Sequence, residues 1–148
     1  VSETDTGDSA LIPWADEQSG AGELQLRIPP DPTLIRIVRL ATSGLASMAD
    51  FDLDGIEDLK IAVDEVCSSL IEVSDGAPIE LRLGRVQPSG VWIEGRTQVA
   101  AGADVDSDRV ALGDRILEVI VDRHELVVAD GSACFRVLRL GEVDRATG

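Results

Sequence analysis

Asp52-Leu-Asp-Gly-Ile-Glu-Asp-Leu-Lys-Ile-Ala-Val-Asp-Glu-Val-Cys-Ser-Ser-Leu-Ile-Glu-Val73 is the longest helical pattern in the chain and the one stretch that groups chemically useful side chains. Ile56, Leu59, Val63, Val66 and Leu70 recur at steps of three and four, which lays an apolar stripe along one face of a helix. Asp52 or Asp54 caps its start, and the acidic first turn suits the positive end of the helix dipole. Beside the stripe, Asp58, Glu65, Ser69 and Glu72 fall close to one line, so Glu65 and Ser69 are neighbours one turn apart. A carboxylate and a hydroxyl bordering the core can line a cleft, although periodicity alone favours the solvated flank of an amphipathic helix.

Upstream of this helix, Glu23-Leu-Gln-Leu-Arg-Ile28 alternates and stops at Pro29-Pro30, the pattern of a half-buried strand. Asp31 then caps a helix with Pro32 at its first position, and Leu34, Ile35, Ile37, Val38, Leu40, Ala41 and Leu45 give it a wide apolar face. Downstream, the Ser74 to Pro78 turn cluster leads into two strands, Ile79 to Leu83 and Gly90 to Ile93. From Glu94 to Asp108 the pattern dissolves, which predicts a loop of about 15 residues, a length usual for lids. Ala111 to Asp122 returns to a helical stripe through Leu112, Ile116, Val119 and Ile120. Glu125 to Ala129 and Ala133 to Leu140 close the chain as a hairpin around Asp130-Gly131. Strands and helices are segregated, which predicts an α+β, two-layer sandwich with three helices on one face of a mixed, mostly antiparallel five-stranded sheet. Residues 23–141 are expected to form this domain. Residues 1–22 are expected to be a mobile acidic tail with one apolar patch, Ala10-Leu-Ile-Pro-Trp14, and residues 142–148 a C-terminal tail.

With 148 residues the chain has room for one domain that buries roughly 68–70% of its surface. Aromatic residues make up only 3%, so the core must be aliphatic and surfaces for stacking bases are scarce. The net charge of −15 repels phosphate backbones and anionic lipids, which argues against nucleic acid and membrane as partners and for a basic protein surface. Cys67 and Cys134 lie in apolar patterns without CxxC spacing and read as reduced core thiols; the single His124 gives no metal cluster. No apolar run approaches the roughly 20 residues of a membrane span, and the acidic N-terminal residues lack the order of a signal peptide. A cytoplasmic protein is expected.

Asp58-Leu-Lys60 followed by Ile61-Ala-Val-Asp-Glu-Val-Cys-Ser-Ser-Leu-Ile71 resembles the helix that carries the Glu-x-x-x-Asn box of bacterial anti-sigma-factor serine kinases. These are small members of the ATPase superfamily that includes gyrase, histidine kinases and MutL. The resemblance covers about Leu24 to Leu140, including the element order, and implies the histidine-kinase-like ATPase sandwich with an ATP pocket under a lid loop. It implies Glu65 as general base toward an attacking hydroxyl and sets Ser69 where an Asn holds magnesium. A Ser hydroxyl is shorter than an amide carbonyl and a poorer ligand for an ion that demands near-octahedral oxygens. The family's Asp-x-Gly-x-Gly turn, whose Asp recognises adenine, corresponds to Ile93-Glu-Gly-Arg-Thr97, which leaves Gly95 alone at a motif position. Glu94 is out of phase there and should point to the opposite face of its strand. The Gly-x-Gly that opens the third helix and receives phosphate is reduced to Ala111-Leu-Gly113.

With these departures the resemblance implies a regulatory protein-binding domain with a degenerate nucleotide site and no cofactor. ATP and magnesium belong to the alternative, an active protein serine kinase acting on an anti-anti-sigma partner; a structural or sensory module is the third reading. The implied partner is a sigma factor or an anti-anti-sigma protein, met through Asp58, Glu65 and Glu72 on the helical side near the lid. The resemblance also implies a homodimer formed through the sheet.

Overall fold

The computed structural model describes residues 23–141, and the two tails expected at 1–22 and 142–148 lie outside the described residues. In chain order the elements are β1 (Leu24–Ile28), a 3-10 turn (Pro32–Leu34), α1 (Ile35–Met48), α2 (Leu53–Val73), β2 (Ile79–Arg85), β3 (Gly90–Gln98), α3 (Asp108–Ile120), β4 (Arg123–Ala129) and β5 (Ser132–Leu140). The five strands form one sheet in the order β1-β2-β3-β5-β4, and the helices share a core with one of its faces. This is the expected two-layer α+β sandwich, with one correction. The sheet is antiparallel throughout rather than mixed. β3 and β4 run in the same direction through the α3 crossover, but β5 folds back between them, so the one parallel pairing never forms.

The α2 stripe fills the centre of this core. Leu59, Val63, Val66 and Leu70 are fully buried, each contributing about 1.5–3 kcal/mol, and Ile56 is half-buried at the stripe's beginning. Asp52 caps the helix, its carboxylate accepting from Gly55 N at 2.8 Å. The face of α1 is narrower than its composition predicts: Ile35, Val38 and Leu45 are buried, whereas Ile37 and Leu40 are exposed, because the helix meets a neighbouring layer on one side only. The stripe of α3 is rotated from the expected one. Val110, Gly113 and Leu117 face inward, and Leu112 and Val119 face solvent.

Two element boundaries also move. β3 runs five residues past Ile93, because the stretch to Gln98 pairs with β5 as far as Gln98–Ser132 and with β2 as far as Arg96–Glu80. Gly95 is therefore a strand residue facing α2, where a Cβ would stand 2.6 Å from Leu70 Cδ1 and 3.2 Å from Val66 Cγ1. It permits close packing of sheet and helix and makes no turn. Likewise α3 begins at Asp108, with Ser107 Oγ accepting from Val110 N at 3.3 Å, so the expected loop contracts to the residues between Gln98 and Asp108.

Candidate functional site

Three of the residues singled out by sequence, Glu65, Ser69 and Gly113, meet where α3 lies on α2. Glu65 and Ser69, one turn apart, are both buried. Glu65 Oε2 accepts from Arg109 Nη2 at 2.7 Å, an ion pair between α2 and the first turn of α3. One turn further along α3, a Cβ built on Gly113 would be 3.3 Å from both Glu65 Oε2 and Ser69 Oγ. A side chain at this position would crowd both atoms, and they would have to give by a few tenths of an ångström to admit it. Ser69 Oγ has no hydrogen-bond partner among the described residues.

The loop that precedes α3 is tied down at its start. Asp75 N donates to Gln98 O, Ala100 N to Val73 O and Val99 N to Gly131 O, each at 2.9 Å, which joins the lid to the end of α2 and to the β4–β5 turn. Ala103 and Val105 pack on the main core. Beneath the lid, the last helix-facing position of β3 is Thr97, a buried residue whose Oγ1 lies 3.2 Å from Ser74 Oγ. Among the described residues no His, Cys, Asp and Glu cluster is arranged to hold a metal ion. No helix of the described residues is long and apolar enough to cross a membrane.

No protein-family model matches the chain. Among curated proteins, it is similar to the serine-protein kinase RsbW of Bacillus pumilus, with 41% identity over 112 residues that cover 76% of this chain and 52% of that protein. It is similar as well to the serine-protein kinases RsbW of Bacillus velezensis, 45% identical over 49 residues (33% of this chain, 31% of that one), and Bacillus subtilis, 38% identical over 55 (37% and 34%). The chain is RsbW-like. It spans between about a third and a half of the length of these relatives. In fold it matches a chain in the crystal structure of the SiaB–SiaC complex from Pseudomonas aeruginosa, with a TM-score of 0.57 and 12% identity over 94% of this chain and 99% of that one.

Within the RsbW-like domain, the four polar residues that share a line on α2 have separate surroundings. Glu65 and Ser69 lie under α3, Glu72 is exposed, and Asp58 reaches across to Arg139 Nη2 at 3.0 Å. Gly113 is not at a helix start: it occupies the second turn of α3, where its N–H belongs to the helix ladder and is not presented to an anion. An ion requiring about six oxygens would find one hydroxyl facing the backbone of α3, and the nearby carboxylate already has a guanidinium partner. Arg109 and Thr97 were not singled out from the sequence. Ser107-Asp108 is a legible helix cap that would have drawn Arg109 into the first turn, and continuing the alternation Ile93, Gly95, Thr97 would have placed Thr97 under the lid.

The opposite, open face of the RsbW-like sheet carries a second polar constellation. Gln25, Arg82, Glu94, Arg136 and Glu125 stand in register across all five strands. Glu94, placed on this face by strand phase, is buried and meets Arg136 at 3.0 Å, Arg82 at 3.2 Å and Arg96 at 3.3 Å. Arg82 also grips Glu23 through two hydrogen bonds, 2.8 and 2.9 Å long, and lies over the Trp92 ring. Cys134 is on this face, opposite Arg96, whereas Cys67 alone is the core thiol that sequence suggests for both; burial pushes its pKa up to about 12.

The hydrogen bonds from Arg82, with a smaller one from Gln25, hold the Glu23 carboxyl down at about 2 from its ordinary 4.5. A lowered carboxylate pKa stabilises the fold above the ordinary value, and that contribution is lost as pH falls from about 4.5 toward 2. In a carbon-13 titration, Glu23 should remain ionised at pH values where the exposed glutamates are protonated, and Arg82→Ala should return it to the ordinary range. An ordinary Glu23 titration in the unmodified chain would contradict the geometry.

Proposed function

We propose that this RsbW-like domain is a regulatory protein-binding domain that works as an anti-sigma factor in a partner-switching circuit, with nucleotide binding weak or lost. The Glu65–Arg109 ion pair, sealed by Gly113 of α3 against Ser69, carries the reading. A general base needs an accessible carboxylate within reach of the hydroxyl it deprotonates, and Glu65 is instead committed to a neighbouring helix. The guanidinium beside this pair of helices, that of Arg109, is already committed to Glu65, and the acidic chain adds no attraction for a phosphate.

Thermal melting with millimolar MgATP tests this. A ligand present at 100 times its dissociation constant stabilises the native state by about 2.7 kcal/mol, several degrees for a domain of this size. The expected shift is close to zero. A rise specific to adenine nucleotides would replace the proposal with its alternative, an active serine kinase, which the retained Glu65 and the name of the curated relatives favour.

The partner in this reading is a sigma factor or an anti-anti-sigma protein, in the cytoplasm, and it docks on the helical side around Glu72 and the lid. Affinity capture with and without ATP and magnesium tests the assignment, and recovery of neither class would leave a structural or sensory module. β1 is an edge strand of five residues, and its pairing with a second copy would give a homodimer. Light scattering at tens of micromolar would reject the dimer by returning the monomer mass.

A further inference from the structure

We propose that the groove between the lid, α3 and β4 takes an extended segment of a partner protein, which adds to the outer edge of β4 and buries one aliphatic side chain flanked by basic residues. The inference rests on the reading of this domain as one that binds a protein. The groove has a volume of about 270 Å³ and is lined by Val105 and Asp106 of the lid, Val110, Ala111 and Asp114 of α3, and Leu126 of β4. Val105 and Leu126 pack on the main core yet are only half-buried. The cause lies in how α3 is seated. It is drawn toward α2, where Gly113 stands against Glu65 and Ser69, and it leaves Leu126 on the outermost strand half covered.

The chemistry of the occupant follows from the lining. Its aliphatic residues suit a side chain such as leucine, and its two polar residues are both carboxylates. Residues 99–108 of the lid add Asp104 and Asp108 and contain no Lys or Arg. Basic side chains are therefore favoured beside the apolar anchor. The β4 strand ends the sheet, and no described strand pairs with its outer edge. An edge of this kind binds an extended chain through main-chain hydrogen bonds, while the adjoining pocket reads one side chain. Successive residues of such a chain point to opposite faces, so basic residues two positions to either side of the anchor share its face with Asp106 and Asp114. The wall is already formed: Asp106 N donates to Asp104 Oδ1 at 2.9 Å, and Ser107 caps α3. Little ordering is left to oppose binding.

Two other surfaces differ in kind. Ile37, Leu40 and Met48 are exposed on α1, a helix that holds Arg36 and Arg39 and no carboxylate. The groove on the open face of the sheet mixes Arg27, Arg82 and Arg96 with Glu80 and Glu94. Of the three, the lid groove alone joins an aliphatic lining to carboxylates without a Lys or Arg among its lining residues.

The test titrates the isotope-labelled full chain, at low salt, with the blocked peptide Thr-Lys-Thr-Leu-Thr-Lys-Thr. The expected result is a saturable shift of the amides of Val105, Ala111 and Leu126, slowed amide exchange along β4, and weakening of both by high salt. Replacing the peptide's Leu by Ser should weaken binding about tenfold, the order expected for withdrawing one buried leucine side chain. Ala111→Arg, at an exposed position of α3, fills the groove with a like charge and should abolish the shifts, and Asp106→Lys should weaken them, with the melting temperature of each variant unchanged. Equal binding of the Leu and Ser peptides would overturn the proposal, as would shifts centred on α1 or on the open face of the sheet, or no shifts at all. Affinity capture separates this inference from the reading beneath it. A sigma factor or anti-anti-sigma protein still held by Ala111→Arg would keep that reading and overturn the groove. Recovery of neither class by the unmodified chain would reject the reading, and the peptide titration would still decide the groove.

Discussion

Glu94→Ala is expected to lower the unfolding free energy by about 3–5 kcal/mol, which corresponds to a fall in melting temperature on the order of 10–20 °C. The Glu94 side chain is 2% exposed and holds Arg82, Arg96 and Arg136 within 3.3 Å. Without its carboxylate, the partly buried Arg82 and Arg136 lose a shared counter-charge in the middle of the sheet, and their mutual repulsion is offset only by Glu23 beside Arg82 and by Glu125, 3.6 Å from Arg136. Arg96→Ala removes the member of the group that stands mostly in water, and an exposed pair of that kind contributes about 0–1 kcal/mol. Denaturant melts of the two variants separate a central counter-ion from a solvated ladder. Equal, small losses for both would mean that water screens the whole row and that the strands are held by their backbone pairing and the helix-side core alone.

The same row shows what a sequence can and cannot disclose. Alternation along β3 is enough to send Glu94 to the face away from the helices, since a period of two is a property of one strand. Which charges stand beside it depends on the register of four other strands, and Arg82, Arg136 and Glu125 come from distant parts of the chain. The α2 stripe was legible for the first reason: Leu59, Val63, Val66 and Leu70 carry their own helical period. The end of β3 was not, because Gly95-Arg-Thr-Gln98 has weak strand propensity of its own and is held by partners on both sides. The start of α3 was hidden by the polar composition of Ser107-Asp108-Arg109. Glu65 was found from its helix and the family resemblance, but its contact with Arg109, 44 residues away, is a tertiary fact. The sequence therefore reached the residues of the candidate site without the ion pair that closes it.

Asp58 is where this distinction has the largest consequence. Its place on the α2 line beside Glu72 makes the two look like equivalent surface carboxylates, and reversing both charges would then be expected to leave the melting temperature unchanged. The structure corrects that expectation for Asp58. Its carboxylate is 3.0 Å from Arg139 Nη2, and the Arg139 side chain is 3% exposed, with its guanidinium over the Phe51 ring at 5.9 Å. Asp58→Lys sets a second cation against a buried one. The expected loss is about 3 kcal/mol, the lower end of the range for breaking a buried pair because Asp58 itself is 31% exposed. Glu72→Lys should change stability by no more than about 0.5 kcal/mol, as for other surface substitutions. Affinity for the partner is then read cleanly at Glu72 alone: the charge reversal should slow association, and salt should reduce the difference between variant and unmodified chain. If Asp58→Lys melted with the unmodified chain, the Asp58–Arg139 pair would not be anchoring α2 to β5. Both carboxylates would then return to the acidic surface offered to the partner.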